Sequence, residues 1–406
     1  MGHRTVDPVE SSRIPRAQGG RVPTVDVDLF ADDVVEDSTA VFKEIRDTGP
    51  VVRVPRNRLW AMGRFEDVRD ALRDDELFTS DHGVAANPVT NLLGRYSVLF
   101  SNGQKHAARR NVLMRSMGAK AIAPVADCLE AEADAIVAGL VGTGEFDAVR
   151  DFSHRLPLRV AADLTGLRVS DERQLHWATA LFDQFGPLNR RWRRTFPTTL
   201  GASGYVLWLN RSRVVPGSWA ASIFDAVARG EIGKVEARMM MIDLFAPSLD
   251  TTVIAITHML WLLGRNPEAW RRIRRQPELI SAAVVEAVRI SSPVRIFTRR
   301  VSRDAELGGV RLHTGDRVAI LFGAANMDER RFPDPACFDL DRPPGGNLGW
   351  GNGAHTCIGI HLAKLEMGAL LRALVARVKT IETIEHPPRI LSNSLQGFRA
   401  LPVRLD

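Results

Sequence analysis

The sequence contains little cysteine for its length: Cys128, Cys337 and Cys357 are the three among 406 residues. They are widely spaced and form no Cys-x-x-Cys pair, which argues against a disulfide framework and against a thiolate zinc site. Without a disulfide framework, a reducing, cytoplasmic setting is the default expectation.

The sequence also lacks a signal peptide, internal repeats and a linker. Residues 1–22 are polar and rich in Pro, Gly and Arg, and we expect them to form a flexible tail. No change in composition divides the remainder, so we expect one domain over residues 23–406. Hydrophobic residues make up 45% and charged residues 25%, which is ordinary for a globular protein with a sizeable core.

A long hydrophobic run without charge is absent as well. The most apolar stretch, residues 239–263, contains Asp243, Asp250 and His258. An ionised carboxylate at the centre of a bilayer costs roughly 3 kcal/mol. We therefore interpret the stretch as part of a long buried helix over residues 232–263 and expect no membrane anchor.

The net charge is +6, and basic runs occur at residues 190–194 and 271–275. Nucleic-acid binding is one interpretation of such runs. Charge runs are usually solvated helix faces, and no recognised nucleic-acid module accompanies these two. We expect no nucleic-acid partner. An acidic protein partner fits better, because complementary charge speeds encounter.

Hydrophobic periodicity predicts a mainly α protein with small peripheral β-sheets. Residues 51–62 alternate between apolar and polar side chains, which predicts a hairpin of two short strands, and residues 390–403 suggest a closing hairpin. Residues 82–96 have little periodicity, so we expect a long functional loop there. The helical pattern over residues 182–196 is interrupted at Gly186-Pro187 and ends at Pro197, which predicts two helices meeting at a mobile turn.

One segment places glycines around a single cysteine. Residues 350–359 read Trp-Gly-Asn-Gly-Ala-His-Thr-Cys-Ile-Gly, and a helical pattern follows them. Near a helix N-terminus, free N–H groups and the positive dipole end favour a thiolate at Cys357. Glycines allow a flat, bulky group to approach the backbone closely. From these residues alone, a small buried apolar cysteine remains the alternative.

This segment resembles the haem-binding loop of the cytochrome P450 monooxygenases, Phe-Gly-x-Gly-x-His-x-Cys-x-Gly. Trp350 stands where the family has Phe, and the other fixed positions match. The resemblance implies the cytochrome P450 fold, with haem b buried between the long central helix and the helix after the loop. It implies that Cys357 is the axial thiolate of the haem iron, which favours O–O cleavage, and that Trp350, Gly351 and Gly359 contact the haem.

Two further groups fall on the family's positions. The first is Glu286-x-x-Arg289, which with Arg342 implies a structural ion-pair network that braces the cysteine loop. The second comprises donors for the haem propionates, which favour Arg and His in a dry site: His106, Arg110, Arg299 and His355. For His106 and Arg110, which belong to one predicted helix, the alternative is an exposed basic helix. The family often has an arginine at the position midway between these two, where this chain has Ala108. Either Arg109 compensates for that arginine, or one propionate is held less firmly.

Asp250 and Thr251 lie in the middle of the long apolar helix. They resemble the acid–alcohol pair that relays protons during oxygen activation, which is general acid catalysis. In that role Thr251 would hold the relay water and Asp250 would supply it from solvent. Pro247-Ser248 precedes them in place of the usual small residues, and a proline that kinks the helix would open the oxygen-binding groove.

A closer resemblance is to bacterial members that oxidise para-substituted benzoates. It rests on residues 182–187, 249–253 and 393–397, and on Phe297 before Arg299. It implies that Arg95 and Ser97 grip a substrate carboxylate. It implies that five residues line the site for the aromatic ring of the substrate: Phe182, Phe185, Ser248, Phe297 and Leu395. A phenylalanine cluster is also what a plain core contains.

The sequence therefore predicts a monooxygenase that inserts one oxygen atom of O2 into a small organic substrate, by hydroxylation or O-demethylation, with an aromatic acid as candidate. One alternative is a tailoring oxidase of a larger natural product such as a polyketide. A second is a non-catalytic haem sensor, although a passive haem site needs no Asp250–Thr251 relay. No flavin, nicotinamide or iron–sulfur motif occurs in the chain, so we expect a separate ferredoxin and ferredoxin reductase as electron donors.

Overall fold

A computed structural model describes residues 22–343 and 345–406, without the side chains of residues 245–248. The predicted flexible tail, residues 1–22, lies outside the described residues except for Val22. The described chain is mostly helical with small sheets, so the predicted fold class is confirmed.

The helices and strands have the following bounds in chain order. The helices are α1 Asp32–Glu36, α2 Thr39–Thr48, α3 Phe65–Arg73, α4 Pro88–Leu93, α5 Gly103–Met117, α6 Ala119–Ile122, α7 Ala126–Ala138, α8 Arg155–Thr165, α9 Asp171–Asp183, α10 Arg190–Trp208, α11 Trp219–Ala228, α12 Lys234–Met240, α13 Ile242–Arg265, α14 Pro267–Arg275, α15 Ile280–Ser291, α16 Phe322–Asn326 and α17 Ile360–Arg377. The strands are β1 Val52–Val54, β2 Leu59–Met62, β3 Phe78–Thr79, β4 Glu145–Asp147, β5 Phe297–Val301, β6 Ala305–Leu307, β7 Val310–Leu312, β8 Arg317–Ile320, β9 Ile381–Thr383 and β10 Pro402–Leu405.

Helix α13 is the axis of the helical part. It is apolar on most sides, so α8, α9 and α15 pack around it. By length and composition residues 234–265 are able to cross a membrane, yet 71% of their apolar window is buried inside the protein, as in a core helix. The predicted single helix over residues 232–263 is in fact two, because α12 ends at Met240 and α13 begins at Ile242.

The sheets lie beside this helical part. In the larger sheet the order is β1-β2-β8-β5-β3, with β1 and β2 forming the predicted hairpin. The predicted closing hairpin over residues 390–403 forms in part. Arg389 and Phe398 make an antiparallel bridge, and the Ile390 N–H donates to the Gly397 carbonyl at 3.0 Å. The strand that follows, β10, pairs instead with β4 and β9. The ring of Phe398 also stacks on that of His258 of α13, with centroids 4.1 Å apart, which holds the segment against the core.

Two further expectations about local structure need correction. The predicted loop over residues 82–96 contains helix α4, whose N-terminus is capped by the Asn87 side chain accepting from the Thr90 N–H at 2.8 Å. Pro197 does not end its helix, because α10 continues through it to Trp208. Pro197 and Arg193, whose carbonyl loses a donor, are both exposed, so water is available to that carbonyl.

Candidate active site

The cysteine loop is a tight turn that leads into α17. Gly351 and Gly353 have φ values of 71° and 69°, in the left-handed region that favours glycine. A Cβ at Gly353 would clash with the carbonyl oxygen of Leu72, so α3 packs directly against the loop. The Cys357 N–H donates to the Trp350 carbonyl at 2.8 Å, which closes the turn and presents the thiol beside the start of α17.

Cys357 lies at the wall of an apolar cavity of about 320 Å3. Its accessible surface faces this cavity, and the surrounding protein otherwise encloses it. Burial raises the pKa of the thiol, while N–H groups at Gly359 and Ile360 and the charge of Arg110 oppose that rise. Trp350, Gly351 and Gly359 line the same wall, with Lys364 Nζ 5.0 Å from the Trp350 ring centroid.

Four basic residues converge beside the cysteine from α5, β5 and the loop itself: His106, Arg110, Arg299 and His355. The imidazole rings of His106 and His355 have centroids 4.2 Å apart, and each has a buried Nε2 with no hydrogen-bond partner among the described residues. Burial lowers the pKa of Arg299 to about 10. Burial, aided by Arg299, lowers that of His355 to about 2. Asp75 is the carboxylate whose charge acts on Arg299 and His106. Two arginines beside unpartnered imidazole nitrogens still favour an anionic ligand.

Arg109 does not join this cluster. Its guanidinium pairs with Glu236 of α12 and donates to the carbonyl oxygens of Arg95 and Ser97 at 2.9 and 3.0 Å. Arg109 therefore fixes the segment before α5 onto α12, and the compensation considered for Ala108 is not what this side chain does.

The predicted brace surrounds a buried ion pair at the end of α15. Arg289 donates to both Glu286 carboxylate oxygens at 2.7 and 2.8 Å, and Arg342 donates to Glu286 Oε1 at 3.1 Å. Arg289 also donates to the Asn326 carbonyl at 2.7 Å, while Asn326 Oδ1 accepts from the Leu348 N–H at 2.7 Å. The network is thereby connected to the residues that enter the cysteine loop.

Asp250 and Thr251 lie on different sides of α13. Thr251 lines the cavity. Asp250 is buried toward α9, where its Oδ2 accepts from Thr179 Oγ1 at 2.9 Å. Burial raises the pKa of Asp250 to about 7; the Thr179 hydrogen bond opposes the rise and the charge of Asp183 adds to it. Ser248, on the same helix, lies outside the residues whose side chains are described.

Phenylalanines line the cavity away from the cysteine. The Phe185 ring centroid lies 5.8 Å from Phe182, 4.9 Å from Phe297 and 5.6 Å from Phe100, which is stacked with it. Leu395 is buried behind Phe182 in the same apolar cluster. The cavity thus offers ring faces and edges to a flat apolar ligand.

The structure separates Arg95 from Ser97. Arg95 is exposed and its guanidinium lies 4.8 Å from the Tyr96 ring centroid, outside the cavity wall. Ser97 is buried and lines the cavity, where its side chain lowers the pKa of the neighbouring Asp243 carboxylate. Because the long loop turns Arg95 outward, the expected carboxylate grip lacks its cation.

Comparisons with known proteins identify the family to which the chain belongs. A sequence model of the family described as Cytochrome P450 matches residues 226–402. Cytochrome p450 CYP199A2 of Rhodopseudomonas palustris is 32% identical over 397 residues, which cover 96% of each chain. The chain belongs to the cytochrome P450 family.

Two further matches extend over almost the whole length of this P450. A methyl-branched lipid omega-hydroxylase of Mycobacterium tuberculosis is 28% identical over 428 residues, covering 97% of this chain and 98% of that protein. The solved structure of CYP109E1 from Bacillus megaterium in complex with testosterone matches with a TM-score of 0.82 at 23% identity. It covers 92% of this chain and 99% of that chain, and it supports the fold.

As a cytochrome P450, the protein binds haem through a cysteine thiolate and is an oxidoreductase of the monooxygenase class, which sets the sensor alternative aside. The residues fit the haem. Cys357 would supply the thiolate, and two unpartnered imidazole nitrogens beside the buried Arg299 and the half-buried Arg110 would suit the propionates. Among the described residues, no group of three or more His, Cys, Asp or Glu is placed to hold a bare metal ion.

Sequence reasoning missed several residues of this P450 site: Phe100, Thr179, Asp243 and Glu366. Phe100 and Glu366 line the cavity, and Thr179 is the partner of Asp250. Asp243 was visible as a charge in an apolar helix, the same signal that singled out Asp250. Phe100 and Thr179 had no local signal, because their roles depend on contacts between distant segments.

Proposed function

We propose that this P450 is a haem-thiolate monooxygenase, formed by one domain over residues 23–406, that hydroxylates or O-demethylates an aromatic small molecule. Cys357 is the axial ligand in this proposal. The observation that carries it is a single cavity whose wall contains both Cys357 and the phenylalanine cluster around Phe185. A ring held among these phenylalanines lies in the same enclosed space as the reactive centre.

The residues around Cys357 form two groups, one that favours its thiolate and one that binds the propionates of haem b. The N–H groups at the start of α17 and the nearby Arg110 favour the thiolate form of Cys357. Two histidines and two arginines donate to the propionates: His106, His355, Arg110 and Arg299. The bound haem supplies activation of O2, by which one oxygen atom enters the substrate and the other leaves as water, with two electrons and two protons consumed.

Asp250 and Thr251 supply the protons. Asp250 is buried against α9, and its carboxyl group exchanges protons near neutral pH because burial raises its pKa to about 7. Thr251 presents its side chain to the cavity, where it orients the water that delivers each proton. Thr179 fixes the Asp250 carboxylate by its hydrogen bond of 2.9 Å.

The support for an aromatic substrate comes from the cavity wall. The relatives do not supply it, because their names and titles mention different kinds of ligand. The mycobacterial relative is named for methyl-branched lipids, and the solved neighbour holds testosterone. Four phenylalanines around one space favour a planar ring. The outward placement of Arg95 weakens the case for an aromatic acid. A larger natural product remains the alternative that a substrate panel separates.

Electrons have to reach the haem from another protein. The 406 residues contain no flavin, nicotinamide or iron–sulfur motif. We propose that a ferredoxin, reduced by a ferredoxin reductase, delivers them in the cytoplasm. The positive net charge of +6 favours encounter with an acidic carrier.

The carbon monoxide spectrum of the reduced holoprotein tests the ligand assignment. We expect a red-shifted Soret band for the unchanged chain and for Cys337→Ser, which alters an exposed cysteine. Cys357→Ser should lose the band while retaining the fold. Persistence of the band in Cys357→Ser would rule out this ligand. Titration with benzenoid compounds and larger scaffolds, read by the shift to high-spin haem, tests the substrate class.

A further inference from the structure

The charges that line the cavity have an uneven distribution. Among the described residues, the Arg, Lys, Asp and Glu side chains of the wall are Arg110, Asp243, Arg299 and Glu366. Arg110 and Arg299 both lower the pKa of His355 and belong to the cluster beside Cys357. Glu366 lies on α17, the helix that follows Cys357. Of these four side chains, Asp243 is the one that belongs neither to the cluster beside Cys357 nor to α17.

Asp243 begins the first turn of α13 and faces the segment before α5. Its Oδ2 accepts from the Val98 N–H at 2.9 Å, and the Ser97 side chain is close enough to lower the pKa of the same carboxylate. A carboxylate has about four acceptor positions, so both oxygens together retain capacity for a ligand. Burial raises the pKa of Asp243 to about 7, and a cationic ligand would favour its ionised form.

The nearest cation cannot turn this end of the cavity into an anion site. Arg109 lowers the pKa of Asp243 through its charge. Its guanidinium is already engaged by Glu236 and by the carbonyl oxygens of Arg95 and Ser97. Arg109 does not belong to the cavity wall, and Arg95 faces outward. A substrate carboxylate would therefore meet the Asp243 carboxylate with no cation between them.

Asp243 lies where the end of a substrate remote from its oxidised carbon would bind. Thr251 lies eight positions further along α13, about 12 Å at 1.5 Å per residue. Both side chains line the cavity, as do Phe185 and Phe297. A molecule with its oxidised carbon beside Thr251 and its ring among the phenylalanines would place a polar group near Asp243.

We propose that Asp243, with Ser97, binds a cationic hydrogen-bond donor of the substrate, so that this P450 prefers aromatic amidines or amines to aromatic carboxylates. This inference rests on the proposed function and adds a substrate class to it. The physical basis is that a buried carboxylate favours a charged donor and repels a like charge.

Three planar analogues of the same shape test the preference: para-methoxybenzamidine, para-methoxybenzamide and para-methoxybenzoate. Their dissociation constants for the holoprotein are measured by calorimetry, with the haem spectrum recorded alongside. The protonated amidine has no free lone pair for iron, so its binding reports on the cavity. We expect the amidine to bind about tenfold or more tightly than the benzoate, the effect of one hydrogen bond to a charged group.

Asp243→Asn keeps an oxygen for the Val98 N–H and removes the charge. We expect it to lose the amidine preference by about tenfold and to bind benzoate more tightly. Asp225→Asn removes the same charge from α11, where Asp225 pairs with the exposed Arg211 outside the cavity wall, and should leave the preference unchanged.

Three outcomes would overturn the inference. They are a benzoate preference in the unchanged chain, an equal loss in both variants, and no binding of any analogue. If the thiolate carbon monoxide band is present in these cases, the monooxygenase proposal stands while the substrate class fails.

Discussion

Thr179 Oγ1 donates to Asp250 Oδ2 at 2.9 Å, across the packed contact between α9 and α13. The same contact brings Asp183 close enough for its charge to raise the pKa of Asp250. A buried acid with one hydroxyl partner and a neighbouring acid is balanced between its two protonation states near neutral pH. That balance suits a group that both gives and regains a proton.

Replacing Thr179 with valine keeps the shape and removes the hydrogen bond. We expect coupled product formation to fall about threefold to tenfold, because Asp250 loses its fixed orientation. Since the hydrogen bond lowers the pKa of Asp250, its removal raises that pKa. The falling limb of the pH–rate profile should then move to higher pH. The measurements are product per electron pair consumed and the pH profile.

Thr179→Ser is the matched control, since it retains a hydroxyl at the same position. We expect its coupling and pH profile to stay close to those of the unchanged chain. An equal loss of coupling in the serine and valine variants would mean that packing between α9 and α13, and not the hydrogen bond, supports the relay.

Asp250→Asn should change stability in a pH-dependent way. Burial raises the pKa of Asp250 from its ordinary value of 3.8 to about 7, so the folded state binds more protons than the unfolded state between these values. Ionising Asp250 in the folded protein therefore destabilises it as pH rises through this window. We expect Asn to increase the free energy of unfolding by up to about 4 kcal/mol at pH 8 relative to its effect at pH 4. Urea titration at both pH values measures this, and a pH-independent difference would contradict it.

The parts of the site that sequence could predict are those encoded by neighbours in the chain. The glycines and Cys357 form one turn, so the pattern of residues 350–359 carries their geometry. Arg95 is different, because the number of loop residues before α5 decides whether it faces the cavity or solvent. Thr179 and Phe100 belong to the site through packing between distant segments, for which local periodicity has no signal.

The same distinction applies to the fold. The hairpin of β1 and β2 is local, and its alternation predicted it. Helix α4 also had a local signal, Asn87-Pro88, an N-cap followed by proline at the first helical position. Pro197 was misleading because α10 continues through it, where both the proline and the freed carbonyl of Arg193 are exposed and water can replace the lost donor. The pairing of β10 with β4 and β9 depends on the whole chain.

The brace at Glu286 should matter for stability and haem retention. Arg289→Met leaves the Glu286 carboxylate buried with one of its two arginine partners, and it frees the Asn326 carbonyl. Removing one partner of a buried pair costs about 3–5 kcal/mol. We expect a loss of that size in denaturant titration and faster transfer of haem to an acceptor protein.

An exposed ion pair nearby provides the comparison. Asp341 pairs with Arg272, with side-chain exposures of 66% and 39%, and such pairs contribute about 1 kcal/mol or less. Asp341→Asn should therefore leave both stability and haem transfer nearly unchanged. Similar losses in the two variants would show that the brace has no special role in supporting the cysteine loop.

Arg95→Ala distinguishes the geometry seen here from a carboxylate grip. The guanidinium is exposed over the Tyr96 ring, and the Arg95 carbonyl that Arg109 holds remains in the alanine variant. We therefore expect the dissociation constants of para-methoxybenzoate and para-methoxybenzamide to change by the same factor, within about twofold, since no charge is lost from the cavity. Calorimetry on the holoprotein measures both. A loss of tenfold or so confined to the benzoate would mean that Arg95 turns inward when an acid binds, and it would restore the aromatic-acid hypothesis.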